Sequence, residues 1–170
     1  MKILILDSHS NAGLACIQSL GKAGYDIYTA SNFSSELSRS SIYGKKFYSY
    51  PSPMKYKEEF IDFIVCLNKE HKFDFILPVT DNSIYPLMEV SAVDLVHVLI
   101  LPNKDTFESA FNKEKTLLLA KKLDVPVPAN TYVASDSFNL GDFSNFPLFV
   151  KPVQSKGISP NGSFNLEPVL

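Results

Sequence analysis

Residues 2–6 form a short apolar run, Lys-Ile-Leu-Ile-Leu, which ends at Asp7. A run without polar alternation is typical of a strand that is buried on both faces of a parallel sheet. After a polar stretch, apolar residues recur at helical spacing as far as Gly24, which is placed to end a helix. Residues 26–30 then predict a second strand. This order is a strand–helix–strand unit, whose crossover should be right-handed.

The same alternation continues to Pro102. Further strands are predicted at residues 46–50, 73–77 and 96–101. Ser52 followed by a proline indicates a helix start, and Thr80 or Asp81 is expected to cap the next helix. Five strands that alternate with helices predict an α/β fold with a Rossmann-like, doubly wound parallel sheet.

After Pro102 the pattern changes. A helical stretch is stopped by Val125-Pro126-Val127-Pro128, because prolines and the residues before them leave the helical conformation. Short strand-like segments follow at residues 131–134, 148–151 and 163–167. We therefore expect a second architecture here, built from antiparallel strands.

Composition excludes two classes of partner. The chain has 170 residues, of which 45% are hydrophobic and 20% are charged, as in globular proteins. Sixteen basic residues against 18 acidic ones give a net charge of -2, which argues against a nucleic-acid surface. The longest later apolar run, residues 95–101, contains His97 and cannot span a bilayer. The start is interrupted too early for a signal peptide, so we expect a cytoplasmic protein without a membrane partner.

The loop after the first strand is the usual ligand position in such sheets, because helix N-terminal amides attract anions. Gly13 is its only glycine, so the dinucleotide fingerprint is missing and NAD or FAD is disfavoured. A small carboxylate or phosphate is expected to contact Ser10 and Asn11. The competing interpretation is that Asp7 and Ser8 simply cap the helix.

Three lysines in the second half are candidates for anion contacts. Lys151 ends an apolar strand, so its ammonium must reach solvent or an anion. Lys156 precedes Gly157 in a segment that can close over a phosphate. Lys113 stands at a helix start, where its charge opposes the helix dipole. Taken singly, each lysine is better interpreted as a solvated surface residue.

Together, these segments carry a resemblance. Asn112-Lys113, Val125-Pro126-Val127-Pro128 and Phe146-Pro147-Leu148-Phe149-Val150-Lys151-Pro152 occur in this order. The pattern resembles the ATP-grasp superfamily, particularly the carbamoyl-phosphate synthase large-subunit-like and carboxylate–amine ligases. The resemblance implies a pre-ATP-grasp Rossmann-like domain at residues 1–102, linker helices at 103–125, and a partial ATP-grasp lid subdomain at 126–170.

The same resemblance assigns roles to residues. Lys113 and Lys151 match the lysines that contact ATP phosphates. Ser155, Lys156 and Gly157 match a shortened glycine-rich loop over those phosphates. The cofactors implied are ATP and Mg2+, and the metal ligands are expected outside this chain. No metal ligand and no catalytic residue is assigned within it.

The implied function is that of the N-terminal fragment of an ATP-grasp ligase. Such ligases activate a carboxylate as an acylphosphate with ATP, for capture by an amine or similar nucleophile. The fragment itself is expected to be catalytically incomplete. Expected partners are a small-molecule carboxylate and either the remaining ATP-grasp portion or a homo-oligomer partner. The alternative function is a non-catalytic module with a Rossmann-like fold that binds a small ligand or another protein.

Overall fold

The chain was analysed as a computed structural model. It describes residues 1–33, 41–90, 93–129, 147, 149–154, 156–159 and 162–165, the last two segments as backbone only. Contacts divide the chain into two compact units, residues 1–101 and residues 102–170. Each unit is described by itself below.

Unit 1, residues 1–101, contains a parallel sheet of four strands. They are β1 (Lys2–Ile5), β2 (Asp26–Ser31), β3 (Gly44–Ser49) and β4 (Phe75–Leu77). Their spatial order is β3-β2-β1-β4, and every neighbouring pair is parallel. The strand order reverses direction at β1, because β2 lies on one side of it and β4 on the other.

Helices cover both faces of this sheet. They are α1 (Asn11–Lys22), α2 (Lys57–His71), α3 (Asp81–Leu87) and α4 (Val93–Val96). Successive side chains of a strand point to opposite faces, so the apolar run of β1 supplies two separate cores. One core contains Ile3, Ile5, Ile17 and Ile27, and the other contains Leu4, Leu6, Phe60 and Ile64. Since α1 and α2 lie in different cores, the doubly wound Rossmann-like fold is confirmed.

Two sequence predictions in unit 1 need correction. The fifth strand predicted at residues 96–101 is reduced to one parallel bridge between Leu99 and Ile76, because α4 extends to Val96. A short apolar run fits a buried helical turn as well as a strand, and buried Leu95 takes that option here. The helix predicted to begin at Ser52 begins at Lys57 instead. A turn precedes it, in which the Ser52 carbonyl accepts hydrogen bonds from the Lys55 and Tyr56 amides.

Unit 2, residues 102–170, contains the helices α5 (Lys104–Phe111) and α6 (Lys113–Lys122). It also contains an antiparallel hairpin of β5 (Lys156–Ser159) and β6 (Gly162–Asn165). Antiparallel pairing and a strand near β6 were predicted, but β5 lies where the sequence predicted a loop. Asn103 caps α5 by accepting the Thr106 amide at 2.8 Å. The strand predicted at residues 131–134 lies outside the described residues.

Candidate functional site

The carboxyl ends of β1 and β4 define the first candidate region. In doubly wound sheets, ligands bind outside the carboxyl ends of the strands at the point where the strand order reverses. In unit 1 that point lies between β1 and β4, so the crevice is bordered by the loop after β1 and the loop before α3. Asp7 lies in the first loop and Thr80 in the second.

The Asp7 side chain fills the space between these loops. Asp7 is 0% exposed. Its Oδ2 accepts three hydrogen bonds: from the Thr80 amide at 3.1 Å, from Thr80 Oγ1 at 2.8 Å and from Ser83 Oγ at 2.5 Å. The other oxygen, Oδ1, accepts from Tyr50 Oη at 2.9 Å. These four hydrogen bonds come from three residues, and all of them end on the side-chain oxygens of Asp7. Below, "the Asp7 network" means Asp7, Tyr50, Thr80 and Ser83.

The helix cap of α1 corrects one interpretation of this loop. Asp7 and Ser8 do not cap the helix: Ser10 does, because its Oγ accepts the Gly13 amide at 3.0 Å. The Ser10 amide in turn donates to the Asp7 carbonyl at 2.9 Å. A Cβ atom on Gly13 would lie 2.7 Å from that same carbonyl oxygen. Glycine at this position therefore lets α1 approach the loop closely enough for the cap to form.

The two substrate-side residues predicted from sequence differ in availability. Ser10 is half-buried and uses its hydroxyl as the cap, whereas Asn11 is exposed at the first position of α1. Beside them, His9 Nδ1 lies 2.9 Å from Ser31 Oγ, and the His9 ring contacts Phe33 at 4.4 Å between centroids. Ser31 is 0% exposed, so the contact with its hydroxyl anchors the His9 ring to a buried residue.

The second candidate region lies at the start of α6. The Lys113 amide donates to the Val153 carbonyl at 2.9 Å, and Asn112 Oδ1 accepts the Lys115 amide at 3.1 Å. These contacts satisfy two of the amides that a helix start leaves unpaired. These two amides are therefore not available to a ligand at this end of the helix.

The Lys113–Val153 bond brings two of the predicted lysines into one neighbourhood. Lys151 is two residues from Val153, a distance of at most about 7 Å along an extended chain. Lys151 is exposed and Lys113 is half-buried. Lys156 and Gly157 lie in β5, where only the backbone is described, and Ser155 lies outside the described residues. The substrate-side residues Ser10 and Asn11 belong to unit 1, whereas these lysines belong to unit 2.

The junction between α5 and α6 holds Lys113 in place. Thr116 Oγ1 donates to the Ser109 carbonyl at 2.6 Å, which ties the first turn of α6 to the end of α5. Lys115 Nζ bonds Glu108 Oε2 at 2.9 Å. The hydrogen bond from Lys115, and then its positive charge, lowers the pKa of Glu108. Lys115 is thus committed to a partner within the unit.

The described part of the chain contains neither a cluster of metal ligands nor a helix that could span a membrane. No group of three or more His, Cys, Asp or Glu side chains there is placed to hold a metal ion. None of the helices in that part has the length and apolar character needed to cross a bilayer.

Comparisons with known proteins identify the fold. No protein-family model matches the sequence, and no curated protein matches it. The solved structure of the L-amino acid ligase from Bacillus licheniformis matches with a TM-score of 0.62 at 17% identity, over 90% of this chain and 37% of that one. The phosphoribosylaminoimidazole carboxylase ATPase subunit from Aquifex aeolicus matches with a TM-score of 0.54 at 14% identity, over 96% of this chain and 41% of that one.

The fold is thus that of an α/β protein with a doubly wound, wholly parallel sheet in unit 1. At 17% and 14% identity, the likeness to these two structures shows a shared fold. The resemblance seen in the sequence is therefore confirmed at the level of the fold. The chain spans well under half the length of either neighbour.

Sequence reasoning missed the Asp7 network. Its members lie 43, 73 and 76 residues from Asp7. Thr80 was recognised only as a helix cap, which it is, since its side chain accepts the Asn82 amide. The available signal was an aspartate directly after a doubly buried strand, at a position where the loop permits no solvation.

Proposed function

We propose that this chain is the nucleotide-contacting and substrate-contacting N-terminal part of an ATP-dependent carboxylate–amine ligase. In this reaction a carboxylate oxygen attacks the γ-phosphorus of ATP, which releases ADP and forms an acylphosphate. The amine then attacks the acyl carbon, and inorganic phosphate leaves. Lys113 and Lys151 contact the phosphates, and Ser155, Lys156 and Gly157 close over them. Ser10 and Asn11 contact the carboxylate substrate.

The observation that carries the proposal is the hydrogen bond between the Lys113 amide and the Val153 carbonyl. It links the helix start to the segment after Lys151, through two residues that are 40 positions apart in the sequence. Both lysines carry a positive charge, which favours an anionic ligand in this neighbourhood. A polyphosphate supplies that anion, and the ATP-grasp fold of the chain supports this choice over a simple carboxylate.

Mg2+ enters the proposal only as a companion of ATP. A divalent ion neutralises charge on the transferred phosphoryl group. The described residues offer no cluster of three His, Cys, Asp or Glu ligands. The resemblance to ATP-grasp ligases, rather than this absence, is the basis on which we propose that the ion's protein ligands lie outside the chain.

The test is calorimetric titration of the full 170-residue chain with ATP and Mg2+. We expect binding, with the affinity reduced about tenfold or more in Lys151→Met and Lys113→Met, because a charged hydrogen bond contributes about 1.5–3 kcal/mol. Lys121→Met is the matched control, since it lies in the last turn of the same helix, about 12 Å along its axis from Lys113.

A second arm uses AMP, which lacks the β- and γ-phosphates. The wild type should bind ATP more tightly than AMP, and this preference should shrink in Lys151→Met. A module that recognises a small ligand without nucleotide predicts no ATP binding and no effect of Lys151. Equal affinity of the wild type and both lysine variants for ATP would also contradict the proposal.

A further inference from the structure

The crevice between β1 and β4 is where a doubly wound sheet ordinarily receives an external ligand, often through an anionic group. In this protein a side chain of the chain itself lies there. The Asp7 carboxylate reaches from the loop after β1 to the start of α3, and it is completely buried. The two loops that would border a ligand are therefore joined directly.

Both oxygens of this carboxylate accept hydrogen bonds. Oδ2 accepts from the Thr80 amide, Thr80 Oγ1 and Ser83 Oγ, and Oδ1 accepts from Tyr50 Oη. Two of those donors are the side chains of Tyr50 and Ser83, which are 3% and 0% exposed. Donors so buried lose free energy when they lack an acceptor, so removal of the Asp7 carboxylate should destabilise the folded protein.

The backbone of Asp7 adopts an uncommon conformation. Its φ is 50°, in the left-handed region that non-glycine residues adopt at an energetic cost. Aspartate tolerates this region better than most residues do. The conformation aims the carboxylate away from solvent and into the crevice, where Thr80 and Ser83 donate to it.

We infer that Asp7 is a built-in anion, which occupies the ligand crevice of unit 1 permanently and closes it to nucleotide phosphates and other external anions. Ligands of unit 1 are consequently recognised beside the crevice, at the exposed start of α1 where Asn11 lies. The same donors form a latent receptor for a small carboxylate, which becomes available when the Asp7 side chain is removed. This inference concerns unit 1 alone and does not depend on ATP binding by unit 2.

The test is chemical rescue of Asp7→Gly by formate in the full chain. Glycine accepts a φ of 50° without strain, so the substitution removes the carboxylate and leaves the backbone conformation accessible. We expect Asp7→Gly to melt at a lower temperature than the wild type. Formate should raise that melting temperature saturably, by roughly 5 °C, since a bound ligand stabilises the folded state. Chloride at equal ionic strength should not.

Three matched proteins make the rescue specific. The wild type should respond to formate no more than to chloride, because its crevice is filled. Asp7→Asn keeps the side-chain volume and should be destabilised but insensitive to formate. In Asp7→Gly/Ser83→Ala, which lacks one donor, rescue should need a several-fold higher formate concentration. If Asp7→Gly is unfolded in plain buffer, the same titration is followed as recovery of far-ultraviolet circular dichroism.

Several outcomes would overturn the inference. One is failure of formate to stabilise or refold Asp7→Gly. Another is an equal response of Asp7→Asn, which would mean that formate acts elsewhere. A saturable stabilisation of the wild type by phosphate or formate that is lost in Ser83→Ala would show that the native crevice still admits an external anion.

Discussion

The hydroxyl of Tyr50 makes two hydrogen bonds to a single residue, Asp7. It accepts from the Asp7 amide at 3.0 Å and donates to Asp7 Oδ1 at 2.9 Å. One hydroxyl thereby serves a backbone donor and a side-chain acceptor, both of which are buried. These two hydrogen bonds join the loop after β1 to the residue that follows β3.

Removal of that hydroxyl should destabilise the protein. In Tyr50→Phe the Asp7 amide loses its acceptor and Oδ1 loses a donor, and buried polar groups left without partners cost about 1–3 kcal/mol. The free energy of unfolding, measured with urea, should fall by that amount. Tyr25→Phe is the control, because Tyr25 is 36% exposed, and we expect a change within about 0.5 kcal/mol. Equal effects of the two substitutions would contradict the assigned role of the Tyr50 hydroxyl.

Gly13 gives a second prediction. The Cβ of alanine would lie 2.7 Å from the Asp7 carbonyl oxygen and 2.9 Å from the Ser8 Cα. Both are backbone atoms, so the strain cannot be relieved by a side-chain rotation. Gly13→Ala should therefore lower the free energy of unfolding by about 1–3 kcal/mol, although alanine favours helices.

The control for Gly13 is Gln18→Ala, at an exposed position of the same helix. It should leave stability unchanged or raise it slightly, since alanine has the higher helix propensity. A Gly13→Ala protein as stable as the wild type would mean that α1 does not approach the loop as closely as 2.7 Å.

The sequence predicts local features of this fold well and distant contacts poorly. The doubly buried strand at residues 2–6 and the cap at Thr80 follow from short patterns whose physical cause is local. The segment at residues 96–101 was misassigned because its apolar character is shared by strands and buried turns. Leu95, the residue before this segment, is buried as part of the helical turn α4.

The candidate sites divide in the same way. Lys113 and Lys151 are conspicuous in sequence because each places a charge where local structure disfavours it. The Lys113–Val153 bond that links them depends on tertiary folding, and no local pattern announces it. Ser83 likewise reads as an ordinary helical residue until Asp7 is placed beside it.

Asn112 gives a third prediction, which concerns the second candidate region at the start of α6. It ends α5 and caps α6, where its Oδ1 accepts the Lys115 amide at 3.1 Å. Asn112→Ala should cost about 1 kcal/mol of local stability, and the Lys115 amide should exchange its hydrogen faster. Asn103→Ala is the crossed control: it should speed exchange at Thr106 and leave Lys115 unaffected. Faster exchange at Lys115 in both variants would contradict separate capping.

The last prediction concerns the edge of the sheet, where Lys45 on β3 bonds Asp26 on β2 at 2.5 Å. The hydrogen bond from Lys45 lowers the pKa of Asp26 below its ordinary value of 3.8, against a smaller opposing effect of desolvation. The folded protein thus keeps this carboxylate charged at a pH where the unfolded chain has protonated it. Its contribution to stability is present above about pH 3.8 and is lost as the pH falls through the lowered pKa of the folded state.

Titration of Asp26 by nuclear magnetic resonance checks this. The wild type should titrate below pH 3.8, and Lys45→Ala should move the midpoint up towards that value. Both side chains are substantially exposed, so the difference should diminish at high salt. Lys46→Ala is the control, because Lys46 lies over the Tyr48 ring rather than against Asp26. A midpoint shifted equally by both substitutions would attribute the lowered pKa to general positive charge along β3 instead of to the Lys45 contact.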